Sequence, residues 1–470
     1  MSALTRRKSL TQAGPPQGGH ALKRTLSWPH LIGMGVGAIV GTGIYTLVGT
    51  GADKAGPAVI LSFAIAGLVC AAAALAYAEL ASMMPASGSA YTYSYVSMGE
   101  GVAWLVGWAL ILEYTVVVSA VAVGWSGYFV GFLEGVGVHL PAALTSAETA
   151  KGGFINLPAV LIVFAVAGAL MVGLKESATV NAWLVVLKLV ALLAFVVLAL
   201  PHFDAARFAP FMPHGFGAHP EGETTKGVMA AAAIIFFAFY GFDAVSTAAE
   251  ETKNPSRDLA IGILGSMVIC TVLYMVVAAA ALGAMAYPDF AASKEPLAQV
   301  IRTLGHPEAA ALIAGVAVVA LPTVILAFLY GQSRIFFVMA RDGLLPRRLG
   351  AVSGKSGAPV AVTLVTAVVC SALAALLDLN HLAALANAGT LAAFIAVSAA
   401  LLVMRRIAPD APRPFRAPLA PLVAFVAIGG CLYLFASLAH TTQIYFAIWM
   451  AIGVVGYFLW GVRHSALAKG

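Results

Sequence analysis

Three sets of residues in this 470-residue sequence could do chemistry inside an otherwise apolar chain. The first is the run of residues 31–49, nineteen positions with no charge and six glycines. Each glycine in a helix interior costs about 1 kcal/mol relative to alanine. Gly37, Gly41 and Gly43 crowd one short stretch, so a helix there is expected to come apart. In a bilayer, freed N–H and C=O groups are tolerated only where they face protein or a wet cavity. There they can hold a polar ligand at mid-depth. The second is Lys188, set in the apolar run Trp183-Leu-Val-Val-Leu-Lys-Leu-Val190. An ammonium at the centre of a span costs at least about 2.5–3.5 kcal/mol on insertion scales, so Lys188 is a candidate to gain and lose a proton. Snorkelling to the inner interface is the competing reading, since Lys188 lies only ~10 Å along a helix from Asn181. The third set is acidic: Glu79, Glu113 and Asp243. Each reads as a proton relay or as a protonated or paired structural group. Glu113, the deepest, is the first relay candidate, and Asp243 is suited to capping freed backbone N–H groups.

These residues sit in a chain that is 61% hydrophobic and 10% charged, with mean hydropathy +0.94. Soluble domains carry about 25% charged residues, so the elements that position the groups must be membrane spans. The formal charge of +6 follows topology and does not suggest nucleic-acid binding. Residues 1–28 are polar and basic, lack the apolar core of a signal peptide, and read as a disordered cytoplasmic tail. Cys70, Cys270, Cys370 and Cys431 are far apart in apolar runs and read as small buried hydrophobes, not as metal ligands. No cofactor or metal is expected.

The apolar runs read as twelve helices, near 31–49, 57–84, 103–133, 155–173, 180–200, 228–248, 259–286, 309–338, 359–377, 382–404, 419–439 and 443–462. The third and eighth are too long for a straight crossing and should tilt or project. Residues 29–404 then form a core of ten spans, and 405–470 hold a cytoplasmic loop, spans 11 and 12 and a short tail. With both termini cytoplasmic, only Lys54, Lys151, Arg207, Lys226, Lys294 and Arg302 fall outside and Lys188 falls within a span. The other Lys and Arg residues lie inside, as the positive-inside rule requires. Glu250-Glu251 and Arg257-Asp258 read as a solvated inner loop.

Span 6 repeats the oddity of span 1. In Ile234-Ile-Phe-Phe-Ala-Phe-Tyr-Gly-Phe-Asp-Ala-Val-Ser-Thr247, Gly241 follows three aromatics and Asp243 comes two residues later. Two weak helices five spans apart, running in opposite directions, match a five-plus-five inverted repeat with broken helices 1 and 6. The expected class is therefore an all-α integral membrane protein of twelve transmembrane helices.

Several ordered motifs carry a resemblance. Gly37-Ala-Ile-Val-Gly-Thr-Gly-Ile-Tyr45 resembles the first-helix signature of amino acid permeases of the amino acid–polyamine–organocation superfamily. Ala76–Tyr93 resembles the end of their second helix, and residues 236–257 their sixth helix and its exit. Tyr330-Gly-Gln-Ser-Arg and Met339-Ala-Arg-Asp-Gly-Leu-Leu-Pro346 resemble the end of the eighth. The branch it looks most like is the bacterial part of the cationic amino acid transporter family, a name that does not fix a cationic substrate.

The resemblance implies an amino acid substrate, a zwitterion needing two opposite partners. Its carboxylate needs N–H donors and positive potential, which the second half of a broken helix offers at its N-terminus. In span 1 that is Thr42 and Gly43, with Gly41 allowing close approach. Its ammonium needs acceptors such as the carbonyl of Ile39, and the resemblance adds those of Phe237, Ala238 and Tyr240. Close helix packing of small-xxx-small type is the alternative use of the glycines. Phe237, Phe239 and Tyr240 are candidates for an aromatic wall or gate. Pro322, in Leu321-Pro-Thr323, stands where the family implies a different small or flexible pair, and should free a carbonyl. In proton-coupled relatives a span-5 lysine stands in place of a sodium ion, tying span 5 to spans 1 and 8, and Lys188 matches that position.

The expected function is secondary active uptake of small neutral, or broadly ranging, L-amino acids, proton-coupled and working by alternating access in the cell (inner) membrane. Its expected partners are the amino acid, the proton and the bilayer. An amino acid/amine antiporter and a cationic amino acid carrier are the nearest alternatives. A sensor that binds without transport is the rival from another class. No HExxH motif or nucleophile–base pair argues for an enzyme.

Overall fold

A bilayer offers backbone groups no water, so they must be paired within the chain, and the apolar runs do this as helices. The computed structural model describes residues 3–10, 26–84, 88–147, 152–172, 178–221, 224–247, 252–350 and 359–468. The first apolar run is divided into α1 (Trp28–Ile39) and α2 (Val48–Ala55), with Gly43–Leu47 wound as a π-helix between them. Then come α3 (Val59–Met83), α4 (Ser89–Ser97), α5 (Glu100–Gly135), the single turn α6 (Ala142–Thr145), α7 (Leu157–Val172) and α8 (Ala178–Ala199). A hairpin of β1 (His219–Glu221) and β2 (Thr224–Lys226), with His219 opposite Lys226, leads to the second divided run. This is α9 (Val228–Ile235), a 3-10 turn over Phe236–Phe239, and α10 (Phe242–Thr247). The remainder is α11 (Pro255–Ala284), α12 (Tyr287–Ala291), α13 (Pro296–Thr303), α14 (Pro307–Arg341), α15 (Val360–Leu376), α16 (Leu379–Ile407), α17 (Ala420–Ala436), α18 (His440–Gly456) and α19 (Val462–His464).

Among the described residues, seven helices are long and apolar enough to cross a membrane, and four shorter apolar helices accompany them. The protein is all-α apart from the hairpin. The long α5 is the central post, packed along α14 and α16, while α11 packs along α1 and α3. The apolar α17 and α18 lean on this body and leave Leu422, Phe425, Ile448 and Ile452 exposed, as lipid-facing surfaces do. Helices α4, α12 and α13 were not expected from the apolar runs. In α4 the reason is Tyr91, Tyr93 and Tyr95, buried rings that mix with serine and threonine and interrupt the apolar pattern.

Residues 3–10 belong to the segment expected to be disordered, yet they lie against the end of the body that carries Glu100 and Asp342. The Glu100 amide donates to the Arg6 carbonyl at 2.8 Å, and Lys8 pairs with Asp342 at 2.6 Å. Glu79 is a paired carboxylate. It takes a two-pronged bond from Arg405 at 3.1 and 2.6 Å and the Ala417 amide at 2.8 Å, tying α3 to the loop after α16. Glu250 and Glu251 lie outside the described residues.

Candidate functional site

Helix α1 ends because Val40 turns extended (ψ 97°) and Gly41 follows. The chain re-enters helical conformation at Thr42, and the amides of Ile44 and Tyr45 both go to the Gly41 carbonyl, at 3.2 and 3.3 Å. The first amides of a new helix have no carbonyl behind them, which leaves those of Thr42 and Gly43 facing forward. Helix α9 tightens to a 3-10 turn and stops at Tyr240, which is extended (ψ 151°). Gly241 then takes φ +105°, a conformation that glycine adopts without strain.

The two breaks lie across each other. A Cβ on Gly43 would fall 2.3 Å from Ala238 Cα, and one on Gly241 would fall 2.7 Å from the Ala38 Cβ. The glycines of α1 divide by role. Gly33, which opens the Gly33-x-x-x-Gly37 packing alternative, faces nothing within 4 Å, whereas Gly35, outside that motif, packs against Ser266. At the crossing is a cavity bordered by Ala38, Ile39, Gly41, Thr42 and Gly43 of the first break and by Val117, Val121, Phe237, Tyr240, Val324 and Phe328. Its free volume, about 10 Å³, is no more than a single water needs. Side chains must part for a solute to enter. No lining side chain is charged. The Thr42 hydroxyl is buried there, with no hydrogen-bond partner among the described residues.

The 3-10 turn sorts the aromatics. With three residues per turn, positions i and i+3 share a face. Phe237 and Tyr240 face the cavity, with ring centroids 4.9 Å apart. Phe236 and Phe239 turn away, and Phe239 packs on Phe63 and Tyr274 at 6.3 and 5.6 Å. Of the three aromatics considered for a wall or gate, Phe239 does not border the cavity. Asp243 stands in the first turn of α10, where its charge favours the N-terminal end of that half-helix.

Lys188 is buried. Its Nζ donates to the Gly37 carbonyl at 3.1 Å and to Thr323 Oγ1 at 3.2 Å, so one ammonium joins α8 to α1 and α14. Thr323 Oγ1 can accept because it donates onward to the Ala320 carbonyl at 2.7 Å. The Tyr45 hydroxyl donates to the Lys188 carbonyl at 3.3 Å. Glu113 is buried on α5, beside the Thr390 hydroxyl and within electrostatic reach of Asp243, but does not border the cavity. Pro322 leaves α14 unbroken. The carbonyl that it strands, Val318, receives the Trp125 indole at 2.8 Å.

Several functional neighbours escaped the sequence reading. Tyr274 donates to the Ile39 carbonyl at 2.8 Å, so that acceptor keeps one free lone pair rather than two. Asn387 holds the frayed end of α9, giving its amide to the carbonyls of Ala233 and Ile234 at 2.6 and 3.0 Å and accepting from the Tyr240 hydroxyl. A buried asparagine at mid-span is costly, and that cost was the available signal. Tyr128 donates to the Tyr45 carbonyl at 2.5 Å, beyond the first break.

Two discontinuous helices thus cross at a shared cavity, and the buried Lys188 joins the first of them to α8 and α14. Residues 26–460 match the family model described as "Amino acid permease". The chain is 46% identical, over 99% of both proteins, to the branched-chain amino acid permease BcaP of Bacillus subtilis (strain 168). It is 41% identical, over the full length of both, to the methylthioribose transporter of the same organism. It is 40% identical to the vacuolar cationic amino acid transporter 2 of Arabidopsis thaliana, over 87% of this chain and 64% of that protein. The chain belongs to the amino acid permease family of the amino acid–polyamine–organocation superfamily, and is a multi-pass secondary transporter of amino acids rather than an enzyme.

Proposed function

We propose that this permease imports neutral aliphatic L-amino acids in symport with protons by alternating access. The twelve spans would form a five-plus-five inverted repeat, with both termini in the cytoplasm of an inner-membrane protein. The single observation that carries this reading is the cavity at the crossing of the two breaks, bordered by Gly41, Thr42 and Gly43 of the first break and by apolar and aromatic residues. The substrate carboxylate would lie on the amides of Thr42 and Gly43 and on the unpartnered Thr42 hydroxyl. The ammonium would lie on carbonyls at Ile39, Phe237, Ala238 and Tyr240. The side chain would point among Val117, Val121, Val324 and Phe328, where a cationic or acidic end would find no partner.

Lys188 supplies the coupling. A protonated lysine donates up to three hydrogen bonds and accepts none, so its bonds to Gly37 and Thr323 hold α1, α8 and α14 together. A proton lost to the cytoplasm weakens both bonds, frees α1 to move and releases substrate inward. Glu113, beside Thr390, is the second proton-coupling candidate. Uptake of labelled leucine into proteoliposomes tests the reading. Accumulation should follow an inside-alkaline pH gradient with or without sodium. A sodium requirement, or a strict need for preloaded amino acid, would replace symport with another mode.

A further inference from the structure

At the inner end of α11 lies a groove of about 510 Å³, open to the side, between that helix and the loop after α16. Arg257, Ile261, Leu264, Pro414 and Phe415 wall it. Its two ends differ in chemistry. Arg257 stands in the first turn of α11, exposed, and its guanidinium has no hydrogen-bond or ion-pair partner among the described residues. Arg416, adjacent to Phe415, is likewise exposed and unpartnered. The neighbouring Arg405 and Arg413 are already occupied, by Glu79 and by loop carbonyls such as Ala408 at 2.7 Å. Away from Arg257 the groove is apolar and runs along one face of the same helix, half-buried at Ile261 and Leu264 and exposed at Val268. Ile261, Leu264 and Val268 recur at the spacing of one helix face, and Val268 is 61% exposed. From Arg257 to Val268 is ~16 Å of helix, about half the ~30 Å hydrocarbon core.

We propose that this groove binds one anionic phospholipid of the cytoplasmic leaflet. Its phosphate would sit on Arg257 and Arg416, and one acyl chain would lie along Ile261, Leu264 and Val268. Guanidinium groups fork onto phosphate oxygens. Two cations at the interface without a partner among the described residues favour a lipid with net negative charge over a zwitterionic one, whose own cation they repel. The leaflet follows from the orientation proposed above, whereas the ligand class does not depend on it.

Native mass spectrometry of the full chain in a neutral detergent, with added phosphatidylglycerol or phosphatidylcholine, tests this. Wild type should retain phosphatidylglycerol about fivefold or more over phosphatidylcholine, and Arg257→Ala with Arg416→Ala should cut that retention about tenfold. Ile261→Trp, which fills the groove and leaves the charges in place, should reduce it as well. Arg463→Ala, an exposed cation elsewhere, should leave it unchanged. Arg257 makes no side-chain bond, so its variant should melt with wild type in lipid-free detergent. Equal retention of the two lipids would overturn the proposal, as would retention unmoved by the arginine pair or by Ile261→Trp. So would an equal loss in Arg463→Ala.

Discussion

Trp125 and Pro322 make a matched pair across α5 and α14. Pro322 has no amide to give the carbonyl four residues before it, and the Trp125 indole donates to that carbonyl, Val318, at 2.8 Å. Trp125→Phe keeps the stack on Phe129, whose centroid is 4.7 Å away, but strands Val318. It should cost about 1–3 kcal/mol. Pro322→Ala restores the helix's own bond, so the double variant should regain most of that loss. Thermal melting of the four proteins gives the cycle, and strictly additive losses would show that the pair is not coupled.

Gly43→Ala drives a methyl group into backbone, with its Cβ 2.3 Å from Ala238 Cα. Overpacking of this kind costs about 1–3 kcal/mol, and uptake should fall on the order of tenfold or more. Gly33→Ala meets nothing within 4 Å, so it should keep full uptake and gain up to about 1 kcal/mol of helix stability. Initial uptake rates and melting temperatures of the two variants check the contrast.

Asn387→Leu removes the donor to two carbonyls and the acceptor for the Tyr240 hydroxyl. Each buried group left without a partner costs about 1–3 kcal/mol. The variant should melt earlier and bind substrate more weakly, because the end of α9 that carries Phe237 loses its support. An unchanged dissociation constant would separate Asn387 from the binding site.

Outside the spans, burial raises the Glu295 carboxyl above its ordinary range, although Arg302 lies 2.7 Å away and opposes the shift. A carboxyl raised in the fold contributes stability below the ordinary glutamate pKa and loses it as pH rises through the folded value. Glu295→Gln stays uncharged, so its melting temperature relative to wild type should be higher at about pH 7.5 than at about pH 4.5. A gap independent of pH would contradict this.

Much of this architecture was readable before any coordinates, because glycine crowding and apolar run length act locally. Gly41, Gly43 and Gly241 mark the breaks by their cost to a helix. Lys188 marks itself by its cost in lipid. The partners were not readable, because Tyr274, Asn387 and Trp125 reach Ile39, Tyr240 and Val318 from other spans and no local period points at these contacts. The Ile39 carbonyl looked fully free for the same reason. The aromatics of the sixth apolar run are placed by their local period. Read as a plain run, Phe239 ranks with Phe237 and Tyr240, whereas a 3-10 turn sends it to the opposite face. Helix α4 was missed because its tyrosines interrupt the apolar run.

The proposed main-chain recognition of the substrate head also has a direct consequence. Leucine should compete for labelled uptake, while leucinamide and 4-methylpentanoate, each lacking half of the zwitterion, should not. Val117→Phe should narrow the apolar end and shift preference from leucine toward alanine, with each methylene worth about 1–3 kcal/mol of discrimination. Competition by either half-molecule at leucine-like concentrations would contradict two-ended binding.

The most direct measurement compares wild type and Lys188→Ala in two assays on the same proteoliposomes, leucine accumulation under an inside-alkaline gradient and leucine counterflow without one. Loss of accumulation in Lys188→Ala with counterflow preserved is the expected result, since the variant keeps the cavity and loses the proposed proton-carrying brace. Accumulation by Lys188→Ala equal to wild type would contradict coupling through this lysine.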